Sequence, residues 1–100
     1  MPAFIIATVD ITDAAAFGRY AKAIDGLAKS FGGRYVVRGP VSETLEGRDT
    51  VGQRVVILEF PDGDAARAFY GSEIYQTAKA MRAGAATLDM RLVDLRQAGA

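Results

Sequence analysis

The sequence predicts an α+β chain with the element order βαββαβ. Three observations predict it. Four short runs, Ala3–Ile11, 34–38, Arg54–Phe60 and 87–95, are dense in β-branched and aromatic residues. The stretches after the first and third runs repeat their apolar residues at helical spacing. Glycine, proline and capping residues mark the junctions. A right-handed split crossover used twice converts this order into a four-stranded antiparallel sheet with its helices on one face, the ferredoxin-like arrangement.

Within Ala3–Ile11, Phe4, Ile6, Thr8 and Asp10 alternate with Ala3, Ile5, Ala7, Val9 and Ile11, a strand with two largely apolar faces. Thr12 and Asp13 supply N-cap oxygens for a helix from about Ala14. Phe17, Tyr20, Ala21, Ile24, Leu27, Ala28 and Phe31 form its apolar stripe, and Gly32-Gly33 ends it. Residues 34–38 are the second strand. Gly39-Pro40 bends it, residues 41–46 extend it as an edge segment, and 47–53 form an exposed loop.

Arg54–Phe60 is the third strand, stopped by Pro61, and Asp62 caps the helix that follows. Ala65, Ala66, Phe69 and Tyr70 are that helix's inward side. Gly71-Ser72 breaks it, and Ser72 caps a second piece carrying Ile74, Tyr75, Ala78 and Met81. Gly84 ends this piece, and 87–95 is the fourth strand. Residues 1–96 are expected to form one domain and 97–100 a frayed tail.

Composition narrows the chemistry. The chain has 100 residues, half of them hydrophobic, enough for a small core. Twelve basic and twelve acidic residues cancel, so no net field favours nucleic acid or an anionic membrane. Cysteine and histidine are both absent, which removes thiolate catalysis, histidine-ligated haem and the common zinc sites. No cofactor and no metal are expected. The start lacks a secretion signal, and no apolar run approaches the ~20 residues of a membrane helix; a cytoplasmic protein is the expectation.

Two helices cover one sheet face only. Ile5, Ala7, Val9, Tyr35, Val37, Val56, Leu58, Phe60, Leu88, Met90 and Leu92 are assigned to the helix side. Phe4, Ile6, Val36, Val55, Ile57 and Val93 then crowd the other face, a patch that marks an interaction surface and predicts a homodimer. Thr8, Asp10, Arg34, Arg38, Glu59, Thr87, Asp89 and Arg91 share its parity. Either they rim that interface or they surround a small cavity between sheet and partner, the usual form of a small-molecule site.

The chain resembles the family called domain of unknown function 1330, within the dimeric α/β-barrel superfamily. The resemblance is carried by Gly32-Gly33-Arg34-Tyr35-Val36-Val37-Arg38-Gly39 and Leu58-Glu59-Phe60-Pro61. Ala65-Ala66-Arg67-Ala68-Phe69-Tyr70, Ser72, Tyr75-Gln76 and Arg82-Ala83-Gly84-Ala85-Ala86 follow in the same order. It departs where Glu73-Ile74 replaces the usual Pro-Glu and where Ala14 replaces a proline. The resemblance implies a ferredoxin-like subunit, a dimer built across the sheets, and no established activity.

Glu59 interrupts an apolar strand and is the candidate general base; Arg38, beside Gly39, is the candidate clamp for a carboxylate or enolate. The plainer reading makes each half of an ion pair, with Arg34 or Arg38 facing Glu59. Arg34, Arg38, Glu59, Tyr70 and Tyr75 are the candidate ligand-binding residues. Inward tyrosines, Tyr20 among them, are more often core with the hydroxyl at the boundary, and Arg82 is expected to bind the last carbonyls of its helix. The leading functional reading is a small homodimer binding an anionic or carbonyl-bearing metabolite beside the sheet. The alternatives are a cofactor-independent monooxygenase or isomerase, borrowed from the superfamily, and a structural or regulatory dimer without ligand.

Overall fold

The computed structural model describes residues 1–97. Its strands are β1 (Ala3–Ile11), β2 (Arg34–Pro40), β3 (Arg54–Phe60) and β4 (Ala86–Asp94). They form one antiparallel sheet in the order β2-β3-β1-β4, as the split crossover requires. The helices are α1 (Ala14–Ala23), α2 (Leu27–Ser30), α3 (Gly63–Gly71) and α4 (Glu73–Met81). The expected tail over 97–100 lies outside the described residues except for Gln97, which closes a 3-10 turn, Leu95–Gln97.

Capping sets the helix starts where the sequence placed them. Asp13 accepts from the Ala16 amide at 3.1 Å and Asp62 from Ala65 at 2.8 Å. Ser72 accepts from Tyr75 at 3.2 Å while donating to the Phe69 carbonyl at 2.8 Å, so one residue ends α3 and starts α4. The expected single helix over 14–31 is instead two, because Gly26 adopts a left-handed φ of 76° between them. The apolar stripe survives the break, since Leu27 and Ala28 of α2 return to the core. Residues 41–46 form no strand, although Val41 still exchanges backbone hydrogen bonds with Gln53 and Gly52.

The core lies between the sheet and the helices, with Phe60, Phe69 and Tyr75 fully enclosed. Phe69 stacks at 5.2 Å on Phe60 and at 5.1 Å on Tyr75, so strand β3 and both C-terminal helices share one aromatic cluster. Ile74 and Met81 of α4 are about half exposed. At the far end of β4 the Asp94 carboxylate is buried against Gly63 and pairs with Arg67 and Arg96 at 3.3 and 3.4 Å.

One irregularity decides which side chains face which way. β1 pairs with β3 through Ile5↔Leu58, Ile6↔Ile57 and Ala7↔Val56, so Leu58 and Val56 face the helices and Ile57 faces away. β2 pairs with β3 through Tyr35↔Leu58, then Val37↔Ile57 and Arg38↔Val56, with a bulge between Tyr35 and Val37. An extra residue in a strand reverses the facing of everything after it. Val37 therefore belongs to the outer face and Arg38 to the helix side, opposite to the alternation expected from the sequence.

Candidate functional site

The outer face carries Phe4, Ile6, Val55 and Ile57, all half-buried in the single chain, with Val37 43 % exposed beside them. Glu59 sits on this face, where Arg34 reaches it directly across the strand pair. The Arg34 Nε donates to Glu59 Oε1 at 2.8 Å and Nη2 lies 2.7 Å from the same oxygen. The two line an open groove with Met1, Pro2, Phe60 and Pro61. The expected Arg34–Glu59 pairing is present. The alternative pairing with Arg38 is not, because the bulge sends Arg38 through to the opposite face. Base and clamp do not share a site within one chain.

Arg38 lines a different space. A cavity of about 300 Å³ lies on the helix side of the sheet, between β1, β3 and β4 and the apolar face of α1. The sequence allowed the polar residues of the outer face either to rim an interface or to surround a cavity between sheet and partner; this cavity lies on the other face, within the single chain. Its walls are Ile5, Ala7, Val9, Phe17, Ile24, Val56, Leu58, Leu88 and Met90. Five polar residues interrupt this apolar lining: the guanidinium groups of Arg38 and Arg54 and the phenols of Tyr20, Tyr35 and Tyr75.

Arg38 is exposed and stacks on the Tyr35 ring at 4.5 Å, which places it at the mouth; Arg54 is half-buried. Neither has a carboxylate partner among the described residues. Two unpaired guanidinium forks beside an apolar space suit a planar anion with a hydrocarbon body.

At the inner side, Tyr20 and Tyr75 are 5 % and 0 % exposed, and their hydroxyl oxygens lie 2.9 Å apart. Tyr20 comes from α1 and Tyr75 from α4, so this contact ties the two helices across the cavity. The Arg82 Nη2 donates to the Tyr75 oxygen at 3.2 Å, and its guanidinium lies 4.8 Å over the Tyr20 ring. Arg82 thus serves the phenols rather than the last carbonyls of α4. Burial, reinforced by the neighbouring Tyr75 phenol, raises the Tyr20 hydroxyl far above the ordinary phenol range against the opposing Arg82 charge. Burial works against the Arg82 charge, and the Tyr75 and Tyr20 oxygens more than offset it, holding that guanidinium protonated.

Of the expected ligand-binding residues, Arg38 and Tyr75 meet at this cavity. Tyr70 does not. It lines a separate groove with Ala66, Arg67, Met90 and Leu92, and its hydroxyl accepts from Lys79 Nζ at 2.8 Å, a contact that lowers its pKa. Sequence reasoning passed over Arg54, and it read Tyr20 as core and Arg82 as a helix cap. The Arg82 role had a signal available: seven residues after Tyr75, it lies on the same face of the helical segment two turns on. The Tyr20–Tyr75 contact spans 55 positions and has no local signal. Among the described residues no cluster of histidine, cysteine, aspartate or glutamate is arranged to hold a metal ion, and no helix is long and apolar enough to cross a membrane.

A family model described as Domain of unknown function (DUF1330) matches residues 2–95. Among solved structures, the chain is similar to a protein of unknown function from Rhodopseudomonas palustris, at 20 % identity and a TM-score of 0.76, covering 93 % of this chain and 81 % of that one. It is also similar to SnoaB, a cofactor-independent oxygenase from Streptomyces nogalater, at 18 % identity and a TM-score of 0.66, covering 96 % and 94 %. A dimeric ferredoxin-like protein of unknown function from Jannaschia sp. CCS1 matches at 17 % identity and 0.66, covering 94 % and 99 %. At these identities the likeness establishes the ferredoxin-like fold. No curated protein sequence matches the chain significantly.

Proposed function

The chain belongs to this family of unknown function, and from that premise we propose that it binds a small anionic or carbonyl-bearing metabolite in the cavity beneath α1, as a homodimer closed over the opposite sheet face. The observation that carries the reading is the pair Arg38 and Arg54 on a cavity whose other lining is apolar side chains and three tyrosines, with no carboxylate opposite either among the described residues. Enclosing the hydrocarbon body supplies affinity at roughly 25 cal/mol per Å² of apolar surface removed from water. A charge-assisted hydrogen bond from each arginine adds about 1.5–3 kcal/mol and selects the anion.

The dimer reading draws on the apolar row of Phe4, Ile6, Val37, Val55 and Ile57 and on a structural relative described as dimeric. An apolar face of that extent is otherwise open to aggregation.

The oxygenase described among the similar structures favours a second reading, in which the bound molecule also reacts. A carbon acid would then need a base beside it. Glu59 lies on the opposite face of the sheet, and the residues lining the cavity include no carboxylate. Binding is therefore the reading placed first.

A thermal-shift and calorimetric series with 2-naphthoate, octanoate and 2-acetylnaphthalene tests it. A ligand at 100 times its dissociation constant adds about 2.7 kcal/mol of stability. The expected result is stabilisation by at least one carboxylate, weakened about tenfold or more by Arg38→Ala and by Arg54→Ala. Unchanged stability with all three compounds, or equal binding by both variants, contradicts the reading.

A further inference from the structure

We propose that Met90 is the end-stop of the cavity, and that the site is built for a linear carboxylate lying across the strands with its charged end at Arg38 and Arg54. This role rests on the ligand reading above and adds to it the shape of the molecule and the residue that limits its length.

The register of the sheet lays the cavity floor out in rows. Arg38 pairs with Val56, Val56 with Ala7, and Ala7 with Met90, so one row crosses all four strands. The neighbouring row runs through Arg54, Val9 and Leu88. Every one of these side chains lines the cavity. The cations therefore stand at the β2–β3 end of both rows, and Met90 and Leu88 stand at the β4 end. Three inter-strand steps separate Arg38 from Met90, roughly 14 Å between Cα atoms at the ~4.8 Å spacing of a sheet. Between them the floor is Val56 and Ala7, the second the smallest side chain of the row. An apolar trough with cations at one end suits a molecule that carries its anion at one end.

Beyond the β4 end lies a second space. A groove of about 360 Å³ between α3 and β4, bordered by Ala66, Tyr70 and Leu92, shares only Ile5 and Met90 with the cavity. Ile5 is 4 % exposed on an inner strand and is held on both sides. Met90 is half-buried on β4, which has a neighbouring strand on one side only. Its side chain is unbranched and adaptable, and its sulfur lies 3.8 Å from the Tyr75 hydroxyl oxygen. The yielding part of the wall is thus one thioether, at the opposite end of the trough from the arginines. A longer chain must displace it, and a shorter one leaves apolar floor uncovered.

The test is a calorimetric titration of the full chain with even-numbered n-alkanoates from hexanoate to tetradecanoate, each below its micelle concentration. In the wild type, affinity is expected to rise about fourfold per methylene until the tail meets Met90, and then to stop rising or fall. Met90→Ala opens the cavity into the groove and is expected to carry the rise at least two carbons further. Met90→Val keeps a residue suited to a strand and is expected to move the limit the same way by less. Met90→Leu conserves volume and is expected to restore the wild-type limit. Leu92→Ala enlarges the groove without touching the shared wall and is expected to leave the limit where it was. Loosened packing alone would weaken every chain length together and would not lengthen the preferred one.

Affinity that climbs steadily through tetradecanoate in the wild type overturns the end-stop. So does a limit unmoved in both Met90→Ala and Met90→Val, or one moved equally by Leu92→Ala. Binding of 2-naphthoate but of no alkanoate overturns the linear shape while leaving the ligand reading intact. If neither 2-naphthoate nor any alkanoate binds, the ligand reading falls and the role of Met90 falls with it.

Discussion

Gly33→Ala is expected to destabilise the fold although it adds one methyl group. A Cβ at Gly33 would stand 2.6 Å from the Phe60 Cε1, 2.9 Å from Cδ1 and 3.0 Å from the Ala28 carbonyl oxygen. The ring cannot move aside cheaply: Phe60 is wholly buried and rests on Phe69, which is itself held by Phe31 and Tyr75. Forcing a methyl into packed core costs ~1–3 kcal/mol, and the upper part of that range fits contacts this short. Alanine also restricts the unfolded chain, which returns ~0.4–1 kcal/mol. The net expectation is a loss of about 1–2 kcal/mol, or roughly 4–16 °C in midpoint at the ~4–8 °C per kcal/mol of a chain this size.

Gly39→Ala is the internal control. It lies six positions on in the same glycine-flanked strand, with nothing within 4 Å of the added Cβ and no left-handed φ, so it is expected to be neutral or slightly stabilising. Urea unfolding of both variants at one fixed protein concentration, with equal m-values, compares them without a contribution from association. Gly33→Ala proving as stable as Gly39→Ala would refute the claim that Gly33 is there to let α2 close on Phe60.

Three further outcomes are expected. Ile57→Arg sets a charge between Ile6 and Val37 on the outer face; sedimentation equilibrium should show dimer dissociation raised at least ~100-fold, because an unpaired charge would be buried there. Glu59→Gln should leave 2-naphthoate affinity within about twofold and cost less than ~1 kcal/mol, since its partner Arg34 is 72 % exposed; a large loss of binding would return Glu59 to the site. The third concerns alkaline stability. Folded Tyr20 keeps its proton above the ordinary phenol value of 10.0, whereas the unfolded chain loses it, so the unfolded state binds fewer protons and stability falls as pH rises. The slope approaches ~1.4 kcal/mol per pH unit from this residue, and Tyr20→Phe should flatten it in urea titrations above that pH.

Much of the fold was legible because local rules sufficed. β1 and β3 announce themselves by apolar density, and Asp13, Asp62 and Ser72 cap the helices they precede. The break at Gly26 had a signal, an isolated glycine inside a helical pattern, masked by apolar spacing that resumes on its far side. The bulge had none. Tyr35-Val36-Val37-Arg38 fits either parity, because two adjacent valines serve both faces, and the extra residue is decided by pairing with β3. That one position moved Arg38 from the outer face to the cavity and parted it from Glu59. The candidate site was therefore legible as a list of residue types and illegible as an arrangement. The Tyr20–Tyr75–Arg82 contact likewise depends on α1 and α4 packing together, which no local pattern encodes.

The most direct test of the account locates the ligand by methyl-labelled NMR during titration with 2-naphthoate. Binding under α1 predicts the largest saturable shifts at Val9, Ile24, Val56 and Leu88, which line the cavity, with small ones at Ile6, Val55 and Ile57 on the opposite face. Shifts confined to Ile6, Val55 and Ile57, or none at any concentration the probe reaches, would contradict it.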